Sequence, residues 1–261
     1  MDRRAFLAIG AAAALHPRRP VSPSARPAVV FVFLRGGADG LSIVVPHGDT
    51  RYYRARPHCA VPPRHVIDLD GYCGLHSALA PLKPWWDHGS LAVAAASGFP
   101  ARLSSHLDAQ LRVDRWLAQL DAEPCASLGE AAETLGRRGT PATLVVNSWG
   151  WDTHVAQGSA DGLLAARLRR LGADIDAFTR AAGPRMRDIV LVTVSEFGRG
   201  IRENAFGGTS HGHATALLAL GGPVAGGVLW GQWPGLDGGD VAVTADLGTL
   251  FERAVHPHTL A

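Results

Sequence analysis

Only three of the 261 residues are cysteine: Cys59, Cys73 and Cys125. The count is odd and no pair has C-x-x-C spacing, so neither a zinc ribbon nor a disulfide framework is implied. One Cys59–Cys73 bridge is compatible with an oxidising compartment. Charge of one sign is equally scarce, with 25 Lys and Arg against 23 Asp and Glu, which argues against a nucleic-acid or polybasic membrane partner. The apolar run from Phe6 to Leu15 covers about ten residues, where a membrane-spanning helix needs roughly twenty. No stable membrane span is expected from it. Internal repeats, coiled-coil heptads and, past residue 27, low-complexity segments are also lacking.

What is present begins with an address. Arg3 and Arg4 stand side by side, followed by Phe6, Leu7 and a run of alanine and other small residues. Asp2-Arg3-Arg4-Ala5-Phe6-Leu7 resembles a twin-arginine export motif, and the Pro-, Arg- and Ser-rich stretch from His16 to Pro27 reads as cleavage region or linker. The expected partner of this segment is the twin-arginine translocation machinery, and the expected location is the periplasm or the exterior. That route carries folded proteins, so a metal loaded before export is compatible with it. Residues 1–27 are therefore assigned to signal and linker, and 28–261 to a single domain.

The run Ala28–Leu34 is apolar on both faces and stops at a glycine-rich turn, as a buried strand of a parallel sheet does. Further strands are expected at Leu91–Ala96, Thr143–Asn147, Asp188–Val194 and Ala216–Leu220. Helical spacing appears over Leu75–Trp86, Ser105–Leu120, Leu163–Ala182 and Leu247–Val255. Alternation of this kind predicts an α/β fold, a mainly parallel sheet with helices on both faces. Ligands of such sheets bind beyond the carboxyl ends of the strands.

Polar clusters fall at those ends. Arg35-Gly36-Gly37-Ala38-Asp39-Gly40 follows the first strand and presents a carboxylate; its spacing is not that of a dinucleotide loop. Ser104-Ser105-His106 opens a helix, where a serine serves as N-cap or as a hydroxyl nucleophile. Asp152 and His154 lie two residues apart, on one side of an extended loop, and suit a shared zinc or manganese ion. The two flanking tryptophans also fit a core wall, with Asp152 and His154 bonded to backbone. Glu196 ends a strand three residues before Arg199, as a ligand or as half of an ion pair. His211 and His213 form an H-x-H pattern after Gly207-Gly208. Twelve histidines in all make a search for metal or acid–base chemistry worthwhile, with His76 as a further candidate.

The motifs LRGGADGLS, SHLDAQ, GWDTH, SEFGR and GGTSHGH, in this order, resemble the bacterial domain-of-unknown-function family 1501, which is similar to the alkaline phosphatase and sulfatase superfamily. That resemblance implies an alkaline-phosphatase-like α/β fold, shortened in the middle, with one or two divalent ions (zinc, manganese or calcium) at the strand ends. It implies metal ligation by Asp39, Asp152, His154, Glu196 and His211 or His213, and a nucleophile at a helix start, here Ser105 beside His106. The expected activity is hydrolysis of a small anionic phosphate or sulfate ester. Two departures, Ser210 in place of an aspartate before His211-Gly212 and a short connection between Gln110 and Leu144, support a different class: a non-catalytic exported protein with a binding or envelope role.

Overall fold

The apolar run after the linker forms strand β1 (Ala28–Arg35), hydrogen-bonded on both sides within an eight-stranded sheet. The computed structural model describes residues 27–99, 105–137 and 142–255; the twin-arginine segment lies outside the described residues. In chain order β1 is followed by α1 (Gly40–Ile43), β2 (Val44–Val45), α2 (Thr50–Ala55), β3 (Val66–Asp68), β4 (Gly74–His76), α3 (Lys83–Asp87) and β5 (Leu91–Gly98). Then come α4 (His106–Gln119), β6 (Glu123–Cys125), α5 (Leu128–Arg137), β7 (Thr143–Trp149) and α6 (Leu163–Ala182). The last part holds β8 (Ile189–Val194), β9 (Arg199–Glu203), β10 (Thr209–His211), β11 (Thr215–Gly221), β12 (Val228–Trp230), β13 (Ala245–Asp246) and α7 (Leu247–Val255).

The main sheet runs β12-β5-β11-β8-β1-β7-β6, with β13 also paired to β5. β8, β1, β7 and β6 are mutually parallel, as are β12, β13 and β5, whereas β11 is antiparallel to both its neighbours. The mainly parallel sheet is therefore present, with one reversed strand inside it. Side-chain alternation along β1 divides the core in two. Val30, Val32 and Leu34 face Leu79, Leu135, Leu168, Ile175 and Phe178 on one side. Val29, Phe31 and Phe33 face Val113, Leu117, Leu250 and Phe251 on the other. Both faces are thus covered by helices, which is why β1 tolerates no polar residue before Arg35.

Two stretches differ from the expectation. Over Leu75–Trp86 the apolar spacing suits one helix, but Pro81 and Pro84 interrupt it: the segment divides into the end of β4, a 3-10 stretch over Ser77–Leu82 and the short α3. Proline lacks the N–H that an interior α-helical turn needs and clashes with the preceding turn. Between Gln110 and Leu144, where the sequence allows one long helix and a loop, α4 ends at Gln119, β6 adds an edge strand, and α5 packs on α6. The three cysteines are free, buried thiols, so the Cys59–Cys73 bridge is absent. Burial pushes the Cys59 thiol up to about 11 and the Cys73 thiol up to about 12, which leaves both poor nucleophiles.

Among the described residues one ion pair lies wholly inside. Asp39 and Arg56 are both fully buried, and the guanidinium meets Asp39 Oδ2 at 2.5 Å and Oδ1 at 3.0 Å. Ser42 Oγ and Gln157 Nε2 also donate to Asp39 Oδ2, each at 2.7 Å. Arg56 further donates to the carbonyls of Ile201 and Gly200. Burial pushes the Asp39 carboxyl up, but Arg56, Ser42 and Gln157 together pull it further down, below its ordinary value.

Arg56→Met would leave that carboxylate without its counter-charge, and a loss of about 3–5 kcal/mol in urea unfolding is expected. The histidine at position 76 is buried with Nε2 on the Ser159 carbonyl at 3.0 Å, and burial lowers its proton affinity. A depressed folded value means that the unfolded chain takes the proton first. Its contribution is therefore intact above about pH 6.5 and declines as pH falls below it. His76→Gln should flatten the fall in urea midpoint between pH 7 and pH 5; an unchanged slope would show that other groups govern it.

Candidate functional site

The carboxyl ends of β8, β1 and β7 lie side by side, and the loops that leave them are laced together. Trp151 N donates to Arg35 O at 3.3 Å, and Gly36 N donates to Glu196 Oε1 at 2.7 Å. Gly36 has φ +119°, and a Cβ there would stand 2.7 Å from Asp152 N. Only glycine lets the β1 exit lie directly against the loop that carries Asp152.

The β9–β10 hairpin closes on that loop from another side. Thr209 N donates to Thr153 O, Ala156 N to Phe206 O, and Gln157 N to Gly207 O. Asn204 Nδ2 donates to His154 O at 2.9 Å, while its Oδ1 accepts from Phe206 N and Gly208 N. Gly208 packs so closely that a Cβ would fall 2.3 Å from the His154 carbonyl carbon and oxygen. This seam carries His211 to His154.

Three side chains converge there. His154 Nε2 and His211 Nε2 are 2.8 Å apart, and Asp152 Oδ1 lies 3.1 Å from the first and 3.4 Å from the second. All three ligand atoms fall within 4.8 Å of one another, the one such group among the described residues. Side-chain exposures of 45% for Asp152, 40% for His154 and 35% for His211 leave the cluster open to solvent. The Phe197 ring lies against His211, centroids 4.7 Å apart.

Beneath the cluster sits Arg199, whose side chain is wholly buried. It donates to the carbonyls of Gly37 and Gly36 at 2.7 Å each, to those of Thr209 and Trp151 at 3.1 Å each, and to Asp152 Oδ1 at 2.5 Å. Burial raises the Asp152 carboxyl, but Arg199, helped by His154 and His211, brings it below its ordinary value. Asp152 is held as the anion.

The donor set fits a divalent ion. Four ligands about 2.0–2.1 Å from a tetrahedral ion stand about 3.3–3.4 Å from one another; the two separations from Asp152 are close to that, and the imidazole nitrogens, 2.8 Å apart at hydrogen-bond distance, would part slightly to admit an ion. One carboxylate oxygen and two imidazole nitrogens suit zinc or manganese, and three protein ligands with an open side match catalytic rather than structural sites.

Asp152, His154 and His211 are thus brought together, and five other candidates stand apart. Asp39 is spent on Arg56, and it supports the site from behind: Gln157, which donates to it, accepts from Thr153 and Thr209 hydroxyls at 2.7 Å each. Glu196 is buried and turned to the Gly36 amide, while Arg199 pairs with Asp152 instead of with Glu196. His213 turns away, its Nε2 meeting Phe99 O at 2.9 Å and its amide donating to Asp240. Ser105 caps α4, accepting from Asp108 N at 3.1 Å and donating to Asp108 Oδ2 at 2.7 Å. Ser104 and the His106 side chain lie outside the described residues, and His76 is committed to backbone at both ring nitrogens. Arg56, Gln157 and Asn204 carry structural weight that the sequence does not announce, because their partners are remote along the chain.

Comparison with curated proteins finds no match. Residues 131–261, which include Asp152, His154, Arg199 and His211, match a family described as "Protein of unknown function (DUF1501)", and with half of its length so matched the chain belongs to that family.

Proposed function

We propose that this chain is an exported metal-dependent hydrolase of phosphate or sulfate esters, with Asp152, His154 and His211 holding a divalent ion. The convergence of one carboxylate oxygen and two imidazole nitrogens at an open strand-end edge carries the reading. Such an ion supplies Lewis-acid polarisation of an ester oxygen. The chain's own residues prepare the place for it. Arg199 keeps Asp152 ionised and fixes the three loops at their carbonyls. Asn204 and the Gly208 contact hold the His154 backbone against the hairpin that delivers His211. Export rests on the twin-arginine motif of residues 2–7. Among the described residues no helix is long and apolar enough to cross a membrane.

A non-catalytic binding role is favoured by one observation: the Ser105 hydroxyl, the candidate nucleophile, is committed to the start of its own helix. With metal bound the two readings separate in activity; without it only the non-catalytic one stands.

Protein purified without chelator should carry close to one zinc or manganese per chain by elemental mass spectrometry, and an Asp152→Ala, His154→Ala variant should carry none. A well-folded wild type that takes up neither metal sinks the hydrolase reading. Metal without turnover on a panel of aryl phosphates and sulfates favours the binding role. Gly208→Ala is expected to push the hairpin off the His154 carbonyl and lower zinc affinity at least tenfold in a competition titration, with the circular dichroism of the sheet retained.

A further inference from the structure

Exposed apolar side chains scattered singly over a surface are ordinary. Seven large ones are exposed among the described residues, and three sit on the loops that carry the metal-ligand candidates: Trp149 at 64%, Val155 at 59% and Phe206 at 72%. Trp149 ends β7 three residues before Asp152, and Val155 directly follows His154. Phe206 lies in the turn of the hairpin that carries His211, and its carbonyl accepts from Ala156 N at 3.0 Å, which sets it beside Val155. The arrangement is braced. The Arg35 guanidinium stands 5.8 Å from the Trp149 ring centroid and is itself fixed to Asn147 and Asp114. Asn204 Oδ1 accepts from the Phe206 amide at 2.9 Å.

We propose that the site takes an amphipathic ligand, a phosphoryl or sulfuryl anion carried on an aromatic or similarly bulky apolar group. Its anionic end meets the ion and its apolar end lies on Trp149, Val155 and Phe206. The inference rests on the reading of Asp152, His154 and His211 as a metal site. The polar and apolar residues are near neighbours along the same two segments: Trp149 three residues before Asp152, Val155 next to His154, and Phe206 five residues before His211. An apolar platform without the ligand cluster would point instead to a membrane or a second copy of the chain. Aromatic rings on such a platform gain both area burial and ring–ring contact.

The test is binding, not turnover. Zinc-loaded full chain is titrated calorimetrically with phenylphosphonate and with methylphosphonate, beside a Trp149→Ala, Phe206→Ala variant whose zinc content is measured in the same preparation. The wild type should bind the phenyl compound about tenfold tighter. In the variant that preference should vanish, while zinc content and methylphosphonate affinity stay the same. Equal affinities in the wild type, or a preference that survives in the variant, overturn the proposal. So does failure to bind either compound, and the zinc content then tells whether the ion site itself has failed. Binding to phosphatidylcholine vesicles or self-association in sedimentation, lost in the variant and unaccompanied by a phenyl preference, would overturn it in favour of a membrane or a second copy.

Discussion

A guanidinium removed from water must find partners for its donors, because an unpaired buried charge costs far more than any loop conformation. Arg199 is in that position, and its partners are what make the edge of the sheet a site. Four carbonyls, from Gly36, Gly37, Trp151 and Thr209, and one carboxylate, from Asp152, surround it. They come from three separate segments: the β1 exit, the β7 exit and the β10 strand. Loops that would otherwise choose their conformations independently are bound to a common centre. The single negative partner, Asp152, is the one that faces the two imidazoles. The same contact thus builds the edge and sets the charge at its surface.

A second buried pair, Asp39 with Arg56, performs the corresponding task one layer deeper. Gln157 connects the layers, since it donates to Asp39 and accepts from the hydroxyls of Thr153 and Thr209. Displacement of any member is felt at the surface through a fully bonded chain of polar groups, and buried networks of this kind rigidify what they support. The resemblance to metal hydrolases implies ligation by Asp39. In this chain its oxygens are engaged by Arg56, Ser42 and Gln157, and its influence on the ligand cluster is indirect.

Strands are the most legible part of the chain, since a run such as Ala28–Leu34 leaves no polar face for solvent, and every expected strand is present with its ends close to where the apolar runs place them. The helix over 163–182 is equally plain from its spacing. Periodicity misleads at Leu75–Trp86, where it carries no information about Pro81 and Pro84. Of the site, Asp152 and His154 are readable because their pairing is local. His211 and His213 share the same spacing, yet only the first reaches the cluster: β10 ends at His211 with a register shift, and His213 is already on its way into β11. The role of Asp39 is not legible in the sequence, because its counter-charge, Arg56, is brought to it only by tertiary packing.

The one reversed strand of the sheet has a consequence for how such a site can diversify. β11 begins at the edge where β5, β8 and β1 end, so the segment that carries His211 arrives at the rim while the others depart from it. Its hairpin joins the main sheet through β11, from Thr215 onward. Residues could be added to or removed from the turn at Asn204–Gly208 without altering a single pairing in the eight strands. Turn length is therefore constrained by the seam with residues 153–157 and not by the sheet, so a change there would alter the reach of one imidazole and the size of the neighbouring platform while the scaffold stays constant.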